Sequence, residues 1–199
     1  MSLMKPLLIL ASTSRYRREL LERLRLPFAV QAPQTDETPR PGEAPAALAL
    51  RLALAKAQAV ATRHPDAVVI GSDQVADLNG EPIGKPGDFD RAAQQLHRMS
   101  GQQVVFQTAV AVVRRDCGFE RALLAPVTVT FRSLSEAEIK HYLALDQPFD
   151  CAGSAKSESL GVALLERIDS DDPTALVGLP LIRTCQLLRA AGIDPLSPP

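Results

Sequence analysis

The sequence predicts an α/β fold with two lobes around a cleft, and three observations carry that reading. Short apolar runs such as Leu7 to Leu10 and Ala67 to Ile70 alternate with stretches of helical periodicity. The segments "QVVFQTAVAVV" and "LLAPVTVTFRSL" flank a turn at Asp116 to Gly118 and read as a long antiparallel hairpin in mid-chain. No linker or low-complexity stretch divides the 199 residues, and a 46% hydrophobic content is enough for a sizeable core.

In chain order, Leu7 to Leu10 form the first buried strand, and the small residues Ala11, Ser12, Thr13 and Ser14 let backbone approach a ligand. Tyr16, Leu20 and Leu24 recur at helical spacing, so a helix starts near Ser14. Arg15, Arg17 and Arg18 crowd its partially positive end. Each such placement costs about 0.3 to 1 kcal/mol, a penalty that a bound anion reverses. Two readings stand on these residues alone: a phosphate site, or a solvated basic helix end capped by Ser14.

Pro27 to Pro33 reads as a second strand bounded by prolines, followed by a loop that holds Asp36 and Glu37 side by side. That pair is either solvated or placed to hold a divalent cation. Pro45 to Arg63 is the longest helical pattern, with Lys56 between Ala55 and Ala57; it is a lysine snorkelling to water or a cation serving a site. After the strand Ala67 to Ile70, Gly71 and Ser72 place Asp73 at the strand's carboxyl end, where open α/β sheets bind ligands. Asp73 is the best-placed candidate acid, the alternative being a turn cap. Asn79-Gly80 signals a hairpin. Gly80 to Lys85 is one residue short of a P-loop, and Pro86 replaces its hydroxyl residue, which excludes a P-loop NTPase.

A helix follows from Asp88 to Met99, then the long hairpin, then a helix that Ser135 and Glu138 open as a capping box and that runs to about Leu145. "FDCAGSAKSESLG" is a small-residue loop carrying Lys156 and Glu158, Gly161 to Ile168 reads as a strand, and Asp169, Asp171 and Asp172 read as a solvated turn. A last helix from about Pro180 stops at Gly192.

The 22 basic and 23 acidic residues leave a net charge of −1, which argues against polymeric nucleic acid and anionic membranes as partners. No apolar run approaches a membrane span, and "MSLMKPLLILAS", with Met4 a candidate start, lacks a signal cleavage pattern, so a cytoplasmic location is expected. Cys117, Cys151 and Cys185 are odd in number and never arranged as C-x-x-C, which fits a reducing compartment. His64, His97 and His141 have no partner at zinc-ligand spacing.

Taken together and in this order, "LILASTSRYRRELLERL", "TDET", "RLALAKA", "IGSDQV", "GKP", "TVTFRSLSEAEI", "CAGSAKSES" and "LVGLPL" resemble the Maf family of nucleotide pyrophosphatases over nearly the whole chain. The resemblance implies an elongated mixed β-sheet flanked by helices, related to the inosine triphosphate pyrophosphatases, and one Maf-like domain over 1–199. It implies hydrolysis of a nucleoside triphosphate to monophosphate and pyrophosphate with a divalent metal cation (Mg²⁺, Mn²⁺ or Co²⁺), and a homodimer. It assigns Asp73 as proton acceptor, Ser12, Arg17, Lys56 and Lys85 as phosphate contacts, and Glu37 to a metal or the attacking water. The base is then read at Tyr16, Gln74 and Glu158. That set resembles the 7-methyl-GTP branch, where the first position is usually Trp, more than the dTTP and UTP branch with Arg, Thr and Gln. N7-methylation makes guanine cationic, so an aromatic face at Tyr16 attracts it by ~0.5 to 2 kcal/mol, and Glu158 accepts from the guanine N1–H and amine. Arg15 stands where the family usually has Pro. Other readings are a pyrophosphatase for dTTP, UTP or another non-standard nucleotide, and a nucleotide-binding regulator of cell division or septum formation.

Overall fold

The computed structural model describes residues 6–197; the candidate start at Met4 lies outside them. Seven strands form one mixed sheet in the order β2-β1-β3-β5-β6-β7, with β4 pairing separately on β3. The strands are β1 (Leu8–Ala11), β2 (Ala29–Gln31), β3 (Val68–Leu78), β4 (Glu81–Ile83), β5 (Gln103–Arg114), β6 (Phe119–Phe131) and β7 (Leu165–Asp169). The helices are α1 (Arg15–Glu22), α2 (Pro45–Ala61), α3 (Phe89–Met99), α4 (Glu136–Asp146) and α5 (Leu181–Ala190). The β1–β2 and β1–β3 pairs are parallel, and the remaining pairs are antiparallel.

The two-residue period of the strands sends alternate side chains to opposite faces. Ile9, Ala11 and Val69 pack under α2, while Leu8, Leu10, Val68 and Ile70 pack against Leu20 and Leu21 of α1 and Leu187 and Leu188 of α5. Helix α2 lies unusually close because β3 carries Gly71: a Cβ there would collide with the Ala53 carbonyl and the Ala57 nitrogen. A second lobe has its own core, in which Ala76 and Leu78 of β3 meet Leu96 and Met99 of α3, Leu143 of α4, and Phe106 and Phe131 of the hairpin.

The joint between the lobes is an interruption in pairing along β3. One edge pairs with β1 as far as Gly71 and resumes with β4 at Ala76, while the other edge runs without a break along β5. Residues 72–75 therefore have no strand on that edge, and the cleft opens there.

Three sequence expectations need correction. The strand read as ending at Ile70 continues to Leu78, because the antiparallel ladder with β5 satisfies its backbone through Asp77. Asp73 thus lies within β3, two residues past the end of its parallel-paired part, rather than in a loop after the strand. The strand read over Gly161 to Ile168 begins only at Leu165, since Leu160–Leu164 forms a 3-10 helix. Asp172 is not solvated: it is fully buried and accepts from the Arg183 N–H (3.0 Å), supplying the side-chain cap that Pro180 cannot give α5. The hairpin signal at Asn79-Gly80 corresponds to positive φ at both residues between β3 and β4, and the Ser135/Glu138 capping box opens α4.

Candidate active site

The arginine burst after β1 divides by helix geometry. Arg18 lies on the solvent side and pairs with Glu22 at 3.0 Å. Arg17 turns inward, donating from Nε to the Gly178 carbonyl at 2.9 Å. Burial lowers the Arg17 pKa from its ordinary value, partly opposed by the charges of Asp73 and Glu37. Ser14 caps α1 by accepting from the Arg17 N–H, and Ser12 accepts from the Ser14 N–H at 3.1 Å. Ser12 is buried.

On the opposite face of the sheet, Lys56 leaves α2 and meets β3. Its ammonium lies 2.6 Å from Asp73 Oδ1 and 2.8 Å from Glu37 Oε1, so one cation ties the strand to the loop before α2. Lys56 and Asp73 are buried at 5% and 6% exposure, which excludes the solvated-lysine reading. Desolvation acts to raise the Glu37 pKa, but the hydrogen bond and charge of Lys56, with Lys85 and Arg17, outweigh it and hold the carboxyl below its ordinary value. Asp36 is separate from this cluster: its carboxylate accepts from the Thr38 N–H at 2.9 Å in a local turn. Lys85 is exposed at the cleft mouth, and no hydrogen bond or ion pair engages it among the described residues.

These groups line connected recesses. One of about 370 Å³ is walled by Ser12, Arg17, Glu37, Lys56 and Lys85. A second of about 300 Å³ shares Arg17, Glu37, Lys56 and Lys85 and adds Asp73 and Gln74. The third, again including Arg17 and Lys85, brings in Tyr16, Gln74 and Glu158. All nine side chains singled out in the sequence thus border one cleft. Ser72 and Gln74 project to the α1 face of β3 and Asp73 to the α2 face, so the unpaired edge of β3 presents groups to both sides.

Tyr16 is half-buried at the recess, and the packing stripe of α1 begins instead at Leu20 and Leu21. The Arg15 guanidinium lies 4.8 Å from its ring centroid and donates to its hydroxyl at 2.9 Å. Glu158 is exposed in a turn and, among the described residues, accepts only a long 3.5 Å contact from Ser157. Gln74 is held firmly, its amide nitrogen donating to Thr108 and to the carbonyls of Ala175 and Leu176 at 2.9 to 3.0 Å.

The donor set bears on a metal. No group of three or more His, Cys, Asp or Glu side chains that could hold an ion occurs among the described residues. Glu37 and Asp73 each have one oxygen on Lys56 and a second not used in that pair. Two carboxylates fit an ion of the magnesium type, which takes its remaining ligands from phosphates and water.

Sequence reading missed several contributors. Asp150 borders both the phosphate-side and the base-side recess, yet in "FDCAGS" it looks like an ordinary loop acid. Ser72 and Thr108 are fully buried polar residues inside strands; the Gly178 carbonyl accepts from Arg17, and the Ser72 hydroxyl lies between the Ala109 and Gly178 carbonyls at 2.7 and 2.9 Å. A hydroxyl amid an apolar strand pattern, such as Thr108 in "FQTAVAVV", was the available signal.

The chain matches the family model described as Maf-like protein over residues 7–191. A protein of Polaromonas sp. (strain JS666) named 7-methyl-GTP pyrophosphatase is 69% identical over 186 residues, covering 94% of this chain and 85% of that protein. Proteins with the same name from Albidiferax ferrireducens and Bordetella pertussis are 62% identical over 189 residues and 59% over 193, the aligned parts covering 95% and 96% of each chain.

Proposed function

The chain belongs to the Maf family, and from that premise we propose that it is a pyrophosphatase cleaving 7-methyl-GTP to 7-methyl-GMP and pyrophosphate, so removing a modified nucleotide. The observation that carries the reading is the shared wall: Arg17 and Lys85 border both the recess with Asp73 and the recess with Tyr16, Gln74 and Glu158. One ligand can therefore place phosphates against the cations and a base against the aromatic ring. The Arg15 guanidinium lies over the Tyr16 ring, a cation–π contact of the kind a methylated guanine would make in its place.

In this mechanism Asp73 accepts the proton of a water attacking the α-phosphorus, and the α–β bridging oxygen leaves with pyrophosphate. Arg17 and Lys85 neutralise the triphosphate, and the Ser12 hydroxyl is available to donate to it. Lys56 holds the Asp73 and Glu37 carboxylates together, which makes room for a polyanion beside two acids. Glu37 would hold a divalent cation together with the phosphates, leaving the second Asp73 oxygen for the water, and the ion would supply further charge neutralisation there. The same reading takes residues 1–199 as one Maf-like domain, acting in the cytoplasm as a homodimer. No helix among the described residues is long and apolar enough to cross a membrane.

Pyrophosphate release tests this across 7-methyl-GTP, GTP, dTTP and UTP with Mg²⁺, Mn²⁺ and Co²⁺. The expected result is the highest kcat/KM on 7-methyl-GTP. Preference for UTP or dTTP would contradict the substrate assignment, and inertness on every triphosphate would leave only a nucleotide-binding regulator.

A further inference from the structure

We infer that Thr108 is a specificity-positioning residue: by helping to fix the Gln74 amide it turns an acceptor toward the base, beside the Glu158 carboxylate, selecting a base whose edge donates twice. The inference rests on the reading of that recess as the nucleobase site. Gln74 and Thr108 are direct cross-strand partners in the β3–β5 register, so their side chains emerge together on one face. Thr108 is fully buried, and its hydroxyl donates to the Ala175 carbonyl at 3.0 Å. A hydroxyl has one hydrogen. With that hydrogen on Ala175, Thr108 can only accept from Gln74, whose amide nitrogen lies 2.9 Å away.

The amide nitrogen also meets the carbonyls of Ala175 and Leu176, each at 3.0 Å. Backbone carbonyls accept and never donate. The orientation of the Gln74 amide follows from these partners: its two hydrogens are shared among the Ala175 and Leu176 carbonyls and the Thr108 oxygen, and the amide oxygen is the group left for a ligand. Reversing the amide would set its oxygen against two carbonyl oxygens, with the Thr108 hydroxyl hydrogen already committed.

Glu158, on the same recess, is a carboxylate and also accepts. The base edge that matches consists of adjacent donors, such as the N1–H and exocyclic amine of a guanine. Uracil and thymine present one donor between two carbonyls, and adenine presents a ring acceptor beside its amine. Each sets an acceptor against an acceptor and leaves a recess group without its donor. A hypoxanthine base keeps the ring N–H and lacks the amine, so it isolates the second donor.

The experiment compares kcat/KM for 7-methyl-GTP and 7-methyl-inosine triphosphate in wild type, Thr108→Val and Thr108→Ser, with circular dichroism to verify folding. Wild type is expected to favour the guanine compound by about tenfold or more. Thr108→Val should reduce that ratio about three- to tenfold, mainly through loss on the guanine compound, and Thr108→Ser should restore it. Equal turnover of both compounds by wild type overturns the inference without needing any variant, as does an unchanged ratio in folded Thr108→Val. In either case turnover of 7-methyl-GTP leaves the pyrophosphatase reading standing, whereas inertness of wild type on both compounds and on other triphosphates overturns both.

Discussion

Replacing Lys56 with methionine isolates the electrostatic centre of the cleft, because Met preserves most of the aliphatic stem and removes the ammonium. In the native protein that ammonium is 2.6 Å from Asp73, whose side chain is 9% exposed, and 2.8 Å from Glu37, whose side chain is 55% exposed. Glu37 can be rehydrated freely when its partner is lost, whereas Asp73 meets water only through the cleft. Removing one member of a buried pair leaves an uncompensated charge and costs about 3 to 5 kcal/mol. For a chain of this size each kcal/mol lowers Tm by about 2 to 4 °C, giving an expected drop of about 6 to 20 °C. The double variant Lys56→Met/Asp73→Asn removes both charges and should recover more than half of that loss, a positive coupling in a double-mutant cycle. Thermal unfolding followed by circular dichroism measures all four proteins. A Lys56→Met variant melting within about 2 °C of wild type would refute the reasoning. A double variant no more stable than the single one would do the same.

Glu158→Gln should lower kcat/KM on 7-methyl-GTP by about tenfold or more and change UTP turnover little, since a charge-assisted acceptor facing a cationic base is lost; equal losses on both would remove Glu158 from base reading. Backbone and hydroxyl hydrogen bonds from Ser135, then Arg132, hold the Glu138 carboxyl at about 2 against an ordinary 4.5. Because the folded pKa is depressed, this contribution to stability is full above about pH 4.5 and fades as pH falls toward 2. Acid titrations of Tm should therefore separate wild type from Glu138→Gln at pH 6 and bring the curves together near pH 2 to 3. Burial, and then the neighbouring Asp150, push the Cys151 thiol up to about 12, while Cys117 is exposed. Iodoacetamide at pH 8 should alkylate Cys117 at least about tenfold faster than Cys151, as read by mass spectrometry.

The sequence made the local parts legible because they depend on nearest neighbours: the Ser14 cap, the Ser135/Glu138 box, the Asn79-Gly80 turn and the long hairpin. The chemical side chains could be named from motif order, although their assembly depends on pairs 17 to 161 residues apart, such as Lys56 with Asp73 and Arg17 with Gly178. Register was the hidden quantity. Glycine and polar residues in "IGSDQV" look like the end of a strand, yet the ladder with β5 carries the backbone through them, and the gap between β1 and β4 makes the cleft. Asp172 was misread for a similar reason. The N–H that its carboxylate caps, on Arg183, belongs to a helix that starts nine residues later, so local composition suggests only a hydrated acidic turn.

The central claim is that Asp73 directs water to the α-phosphorus, and isotope tracing addresses it most directly. Hydrolysis of 7-methyl-GTP in ¹⁸O-enriched water, followed by mass spectrometry of both products, should place the label in 7-methyl-GMP and none in pyrophosphate. Asp73→Asn, with its fold verified by circular dichroism, should slow that labelling by about 10² to 10⁴-fold. Label in pyrophosphate, release of orthophosphate in its place, or an Asp73→Asn rate within about tenfold of wild type would contradict the account.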